Sequence, residues 1–193
     1  MRNLAAIGVL VAGLLFARHG HGGLLVAALV AAWLLAGSTG RRAAAAGRGR
    51  RRVAVRTHGG HGTRVAAMHE AGHRQMAKAN GWKVESAEIF PDGSGVTWMY
   101  VPKDAPVEQL VAVDVAGGIA AGTWEGCSSD MAHLREDLKR LPGGWLFDGP
   151  VRAQAKRAGY ALARKTVGGG VFTSNAAVRR DAAELLKKGR ITG

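Results

Sequence analysis

The chain has 193 residues, a single cysteine and a formal net charge of +13 at pH 7. This length allows one modest domain plus an appendage, and one cysteine excludes an internal disulfide framework. The charge is uneven, because residues 1–64 hold ten arginines and no acidic residue, whereas residues 65–193 hold 17 basic and 14 acidic residues. The basic excess therefore belongs to the N-terminal third, and we expect no nucleic-acid partner.

Two apolar runs, 4–17 and 24–37, open the chain on either side of a Gly/His-rich break. Each is shorter than the roughly 20 residues of a membrane-spanning helix, although flanking residues bring both near the lower limit. We predict that residues 1–40 form a membrane anchor of two short transmembrane helices arranged as a hairpin. A cleaved signal peptide, which would export the remainder, and a single bent span are the alternatives.

An arginine cluster at 41–52 follows the apolar runs. Positive charge next to a membrane span favours the cytoplasmic side, so the sequence predicts a protein of the cell membrane whose remaining residues face the cytoplasm. Residues 41–62 are rich in Gly, Ala and Arg and indicate a flexible basic linker. The organisation predicted is an anchor at 1–40, a linker at 41–62 and a domain at 63–193.

Residues 69–73 read HEAGH, which contains the pattern H-E-x-x-H. In a helix His69 and His73 lie one turn apart on one face, so two imidazole nitrogens can reach one Zn²⁺. Glu70 projects beside such a metal and can act as general base for a metal-activated water. Gly72 is costly inside a helix, which indicates the close approach of another segment.

The next stretch predicts a β hairpin. Residues 81–90 contain a strand-like run, 91–95 read PDGSG, and 96–101 read VTWMYV, rich in β-branched and aromatic residues. A helix beginning near Pro106 follows, and its pair Gly117-Gly118 indicates tight packing against a neighbour. The remainder is predicted to be helical, with breaks at 142–144 and 167–170 and a final helix from Asn175 to Lys188 that ends at Gly189.

A catalytic zinc needs a third protein ligand and keeps its fourth position open for water. Sequence physics alone favours a simpler interpretation of Asp130, as an acid in the first turn of a helix that interacts favourably with the helix dipole. Spacing alone does not choose among the candidate side chains, which are Asp114, Glu125, Asp130, His133, Glu136 and Asp137.

Taken together, the motifs resemble the peptidase domain of the FtsH family of membrane-bound, ATP-dependent zinc proteases. The resemblance rests on HEAGH at 69–73, VESAEIFPDGSG at 84–95, VAGGIAA at 115–121, GCSSDM at 126–131 and the closing segment 178–193. These pieces span most of residues 65–193 in the order that the family shows.

The resemblance implies that His69, His73 and Asp130 bind Zn²⁺ and that Glu70 is the general base. It implies a zincin-like peptidase domain that is mainly α with a small β hairpin or sheet. The transmembrane hairpin would precede this domain. The function implied is a membrane-anchored zinc endopeptidase that cleaves unfolded or flexible protein segments. The alternative is a non-catalytic membrane adaptor or regulator that keeps the fold to bind a protein partner.

The chain departs from the family in several places. It has no nucleotide-binding motif, so the ATPase module is missing. Ile119 stands where the family has Arg, and Gly122 stands where it has Glu, which bears on hexamer formation. The partners expected are a protein or peptide substrate, the membrane, a separate ATPase that unfolds substrates and, as a further option, other copies of this chain.

Overall fold

The structure is a computed structural model that describes residues 49–59, 62–142, 149–169 and 174–193. All of them belong to one compact unit, Gly49–Gly193. Its helices are α1 (Thr63–Ala79), α2 (Val107–Ala121), α3 (Ser128–Leu138), α4 (Pro150–Val167) and α5 (Ala176–Lys188). Its strands are β1 (Arg50–Thr57), β2 (Lys83–Ile89), β3 (Gly95–Pro102), the two-residue β4 (Gly168–Gly169) and β5 (Arg190–Thr192).

Four strands form an antiparallel sheet in the order β1-β3-β2-β5. Strands β2 and β3 are the predicted hairpin, joined by a turn in which Asp92 accepts hydrogen bonds from the amide and hydroxyl of Ser94. β1 pairs with β3 along its whole length, from Arg50 opposite Pro102 to Thr57 opposite Gly95. The prediction of a mainly α fold with a small β hairpin or sheet is therefore wrong, and the domain is a mixed α/β structure.

The error has a physical cause in β1 and β5. β1 reads RRRVAVRT and lies within the segment predicted as a flexible linker, because its arginines conceal an alternation that buries Val55 and Thr57. β5 has only three residues, too few for a period of two to be recognised. The linker prediction for 41–62 is accordingly corrected, since residues 50–57 belong to the sheet.

Helix α2 is the centre of the helical layer. Every residue from Leu110 to Ala121 is buried, as expected for a helix that is apolar on all sides. It packs against α1, α3 and α4, while α1 also packs on β2 and α5. The core is a continuous apolar cluster that joins these helices to the inner face of the sheet through Val55, Ala87 and Met99.

The final helix and its ends follow the prediction. Asn175 caps α5 by accepting a hydrogen bond from the Val178 amide at 2.8 Å, and Gly189 ends it in the left-handed conformation with φ of 72°.

Within the described residues, no helix has both the length and the apolar character needed to cross a membrane. The predicted transmembrane hairpin at 1–40 lies outside those residues, and so does the segment from which the membrane localisation is inferred. For the described residues, the corrected fold is the α/β unit.

Candidate metal centre

Helix α1 places His69 and His73 on the face that packs against α2, and the two Nε2 atoms are 2.8 Å apart. Both side chains are buried, with exposed fractions of 1% and 0%. The rings are T-shaped to each other with centroids 4.6 Å apart, and the short Nε2–Nε2 distance brings both nitrogens to one point.

Asp130, in the first turn of α3, meets the histidines at that point. Its Oδ2 lies 3.0 Å from His69 Nε2 and 3.5 Å from His73 Nε2. The carboxylate is completely buried, and neither of its oxygens has a hydrogen-bond partner of ordinary geometry among the described residues. A buried carboxylate without such partners is costly unless a cation or another donor satisfies it.

The three donor atoms fit a shared Zn²⁺. Zinc binds imidazole and carboxylate at about 2.0–2.2 Å in a tetrahedral arrangement, which separates ligand atoms by about 3.3 Å. The three separations of 2.8, 3.0 and 3.5 Å scatter around that value. Two imidazoles and one carboxylate are also a donor set typical of catalytic zinc.

The second nitrogen of His73 fixes its tautomer. His73 Nδ1 lies 2.8 Å from the carbonyl oxygen of Val113 in α2, and since a carbonyl only accepts, Nδ1 carries the proton. In the neutral ring, Nε2 is then the unprotonated nitrogen, the form that ligates a metal.

Two glycines let helices α1 and α2 approach closely at this point. A Cβ atom on Gly117 would lie 2.4 Å from the Nε2 atoms of both His69 and His73. A Cβ on Gly72 would lie 2.6 Å from the Ala116 carbonyl oxygen, so the close approach predicted for Gly72 is confirmed. The tight packing predicted for Gly117-Gly118 is confirmed as well, because a Cβ on Gly118 would overlap the ring of Trp124.

Glu70 is held by the sheet. Its Oε1 accepts a hydrogen bond from Thr57 Oγ1 on β1 at 2.6 Å, and its Oε2 accepts one from Thr97 Oγ1 on β3 at 2.7 Å. Gly95 leaves room for the side chain, since a Cβ there would lie 2.6 Å from Glu70 Cγ. The carboxyl group is therefore fixed on both oxygens next to the two histidines.

The charges of these groups are coupled. Burial raises the pKa of Glu70 above its ordinary value, against the opposing effect of His69, His73 and the two threonine hydroxyls. Burial would also raise the pKa of Asp130, but the imidazoles of His73 and His69 hold it well below its usual range. The pKa of His73 is raised in spite of burial, because Asp130 and Glu70 are close. Asp130 is thus ionised at neutral pH, as a metal ligand must be.

Cys127, the residue before α3, lies behind His69. Its Sγ is 3.8 Å from His69 Nδ1, and His69, Cys127 and Asp130 together form a buried group with donor atoms close enough to hold a metal ion. Burial, with the negative charge of Asp130, raises the pKa of the Cys127 thiol to about 12, so the sulfur carries its proton. No sequence pattern marks this residue, Thr57 or Thr97, because each is recognised only by its contact across the fold.

The other candidates for a third ligand lie elsewhere. Glu125 is exposed on the loop before α3. The remaining four line a cavity of about 80 Å³ between the sheet and helices α2 and α3, and they are Asp114, His133, Glu136 and Asp137. Of the six candidates, only Asp130 lies within 3.5 Å of either Nε2 atom.

A groove of about 410 Å³ runs along the end of the sheet beside Glu70. Thr57 and Gly95, which both contact Glu70, form part of its wall. Phe90 and Trp98 supply aromatic surface, and Phe90 is 41% exposed. The volume is in the range of pockets that bind small molecules or peptide side chains.

Comparison of the chain with protein-family models and with curated proteins finds no match.

Proposed function

We propose that this chain is a zinc-dependent endopeptidase that hydrolyses peptide bonds of unfolded or flexible protein segments. The observation that carries the proposal is the convergence of His69 Nε2, His73 Nε2 and Asp130 Oδ2 within 3.5 Å, beside a carboxyl group held on both oxygens. The resemblance of the motif order to the FtsH peptidase domain supports the same conclusion.

His69, His73 and Asp130 would hold the metal. When bound there, zinc would supply the chemistry of a Lewis acid, which lowers the pKa of water and polarises a carbonyl. Glu70 accepts the proton of the attacking water at its carboxylate and passes it to the leaving amine, which is general base and then general acid catalysis. A pKa raised by burial suits Glu70 to this work, because a stronger base takes the proton more readily near neutral pH.

The groove beside Glu70 supports a flexible substrate. Its wall includes the threonine and the glycine that contact Glu70, and its volume of about 410 Å³ leaves room for a large side chain of the substrate against Phe90 or Trp98. The chain has no nucleotide-binding motif with which to unfold a protein. Segments that are already extended are therefore the substrates proposed, alone or delivered by a separate ATPase.

The test compares the full-length protein with Glu70→Gln and Asp130→Ala for zinc content and casein hydrolysis. We expect one zinc per chain in the wild type and in Glu70→Gln, much less in Asp130→Ala, and hydrolysis by the wild type only. General acid–base catalysis contributes about 10²–10⁴-fold, so Glu70→Gln should lose activity by at least that factor. Absence of zinc from the wild-type protein would contradict the proposal.

A second function, a non-catalytic adaptor that uses zinc to hold its fold, is favoured by one observation. Glu70, His73 and Asp130 have no exposed surface, and His69 has only 1%. A structural zinc site is closed in the same way. Stoichiometric zinc without hydrolysis of casein or of unfolded peptides, with Glu70→Gln as active as the wild type in cells, would establish the adaptor.

A further inference from the structure

The two histidines of the metal centre have different partners on their second nitrogens. His73 Nδ1 donates to the carbonyl oxygen of Val113 at 2.8 Å. His69 Nδ1 instead faces the sulfur of Cys127 at 3.8 Å, within the range of hydrogen bonds to sulfur. A ligating histidine almost always donates its other ring N–H to a neighbour, and that neighbour fixes the tautomer and the ring orientation.

We propose that Cys127 is a positioning residue for the zinc site. Its sulfur accepts a hydrogen bond from the Nδ1–H of His69 and so turns the Nε2 of His69 toward Asp130 and His73. The inference rests on the proposed zinc site. It assigns to the only cysteine of the chain an outer role, separated from the metal by the imidazole ring of His69, and not a role as a fourth ligand.

The surroundings of the sulfur support the outer role. Sγ lies 3.8 Å from the Thr123 carbonyl oxygen and 3.7 Å from that of Glu125, so its S–H can donate to the main chain while its lone pairs face His69. The side chain of Cys127 thereby links the main chain of the loop before α3 to His69.

A second observation points to the metal independently of the cysteine. Both oxygens of Asp130 are buried without a hydrogen-bond partner of ordinary geometry, and Oδ2 is 3.0 Å from His69 Nε2. If His69 carried its proton on Nε2, that nitrogen would only donate, and it would be lost as a ligand. A partner at Nδ1 that accepts a hydrogen bond from its N–H is therefore what the zinc site requires.

The experiment measures zinc affinity of the full-length protein by competition with a chromogenic chelator. Loss of an outer partner typically costs 10–100-fold in metal affinity. We expect that range of weakening for Cys127→Ala, and less than tenfold for Cys127→Ser, whose hydroxyl still accepts. Ser128→Ala, a change at the exposed neighbour, is the matched control and should bind zinc as the wild type does. Equal affinity in Cys127→Ala and wild type would overturn the inference while leaving the zinc site itself intact.

Two measurements on the wild-type protein keep the inference testable if Cys127→Ala does not fold. In the cobalt-substituted protein, we expect no thiolate-to-cobalt charge-transfer absorption, because the sulfur is not a ligand. Long-range ¹H–¹⁵N correlation spectra of the zinc-loaded protein should show His69 protonated on Nδ1. A charge-transfer band that Cys127→Ser removes, or a His69 protonated on Nε2, would refute the positioning role. Failure of the wild type to bind any zinc would instead count against the proposed function.

Discussion

Thr97 Oγ1 on β3 lies 2.7 Å from Oε2 of Glu70 on α1, and it also lies 3.2 Å from the main-chain carbonyl oxygen of Glu70. A hydroxyl has one proton, so the carboxylate takes the shorter contact and the sheet holds the side chain of a helix residue. Thr57 on the neighbouring strand holds the other oxygen. The general base proposed for this protein is thus oriented by two strands that meet in register, with Thr57 opposite Gly95.

Replacing either threonine by valine should lower kcat for casein or peptide hydrolysis with little change in zinc content. A hydrogen bond to a charged group contributes about 1.5–3 kcal/mol, so we expect a fall of about 10–100-fold for Thr57→Val or Thr97→Val. KM should change little, because both hydroxyls already donate to the carboxylate of Glu70. Thr63→Val, at the exposed start of α1, is the control. Unchanged kcat in both variants would show that Glu70 needs no such support.

Gly117→Ala should abolish zinc binding. The added methyl group would lie 2.4 Å from the Nε2 atoms of both histidines, which is too close for any pair of unbonded atoms, and α2 is buried on all sides and cannot shift freely. Gly62→Ala is the matched control, because a Cβ there meets nothing within 4 Å. Zinc content and circular dichroism on both variants decide the matter. A zinc-replete Gly117→Ala protein would mean that the ligands do not face α2 as described.

Part of the candidate metal centre could be predicted from sequence because its geometry depends on local spacing. His69, Glu70 and His73 lie within one helical turn and a half, so their relation is fixed by α1 alone. Asp130 was one candidate of six by spacing, and its contact with the histidines depends on the packing of α3 against α2, which is a long-range property. The resemblance to a known family singles out Asp130, and so do the distances of 3.0 and 3.5 Å from its Oδ2 to the Nε2 atoms of the two histidines.

The sheet was harder to predict for a related reason. β2 and β3 carry their own turn and alternation, whereas β1 is paired with β3 at a distance of about 45 residues along the chain. Its three leading arginines are typical of a solvated linker, and Arg52 lies over the ring of Trp98 while pairing with Glu85. The contact between Thr57 and Glu70 depends on the pairing of β1 with β3, so no local pattern around Thr57 reveals it.

Asp114→Asn should stabilise the protein at neutral pH. Burial, and then repulsion by Asp137 and Asp130, raises the pKa of Asp114 well above 3.8, with only partial relief from Arg51 and Arg140. The folded state therefore holds this proton more tightly than the unfolded state does, and the stability it gives is complete below the unfolded pKa and is lost as pH rises through the folded pKa. The uncharged amide of the variant resembles the protonated acid, so the stability of the variant does not fall as the pH rises.

The measurement is urea unfolding of metal-free protein between pH 4 and pH 8. The variant should gain about 1.4 kcal/mol for each unit by which the pKa of Asp114 is raised, and the gain should vanish near pH 4. Asp92→Asn is the control of opposite sign, since hydrogen bonds from Ser94 lower the pKa of that exposed carboxyl. A difference between wild type and Asp114→Asn that does not vary with pH would disprove the account.

Asp181→Ala should destabilise the domain severely without any direct effect on the metal ligands. Asp181 on α5 accepts hydrogen bonds from Arg74 and Gln75 of α1, each at 2.5 Å, and Arg74 also donates to the Thr192 carbonyl of β5 at 3.0 Å. Arg74 is nearly buried, so removing the carboxylate leaves a cation without its counter-charge. Breaking a buried pair in this way costs about 3–5 kcal/mol.

Replacing both partners tests this explanation against a simple loss of packing. In Arg74→Met with Asp181→Leu, no buried charge is left, and apolar side chains of similar volume fill the same space, so most of the stability should return. Glu184→Ala, on the exposed face of the same helix where Glu184 pairs with Lys188, should change stability little. Chemical unfolding of the four proteins gives the comparison. If the double variant is no more stable than Asp181→Ala, the helix α1–α5 contact depends on the pair itself, and charge burial is not the cause of the loss.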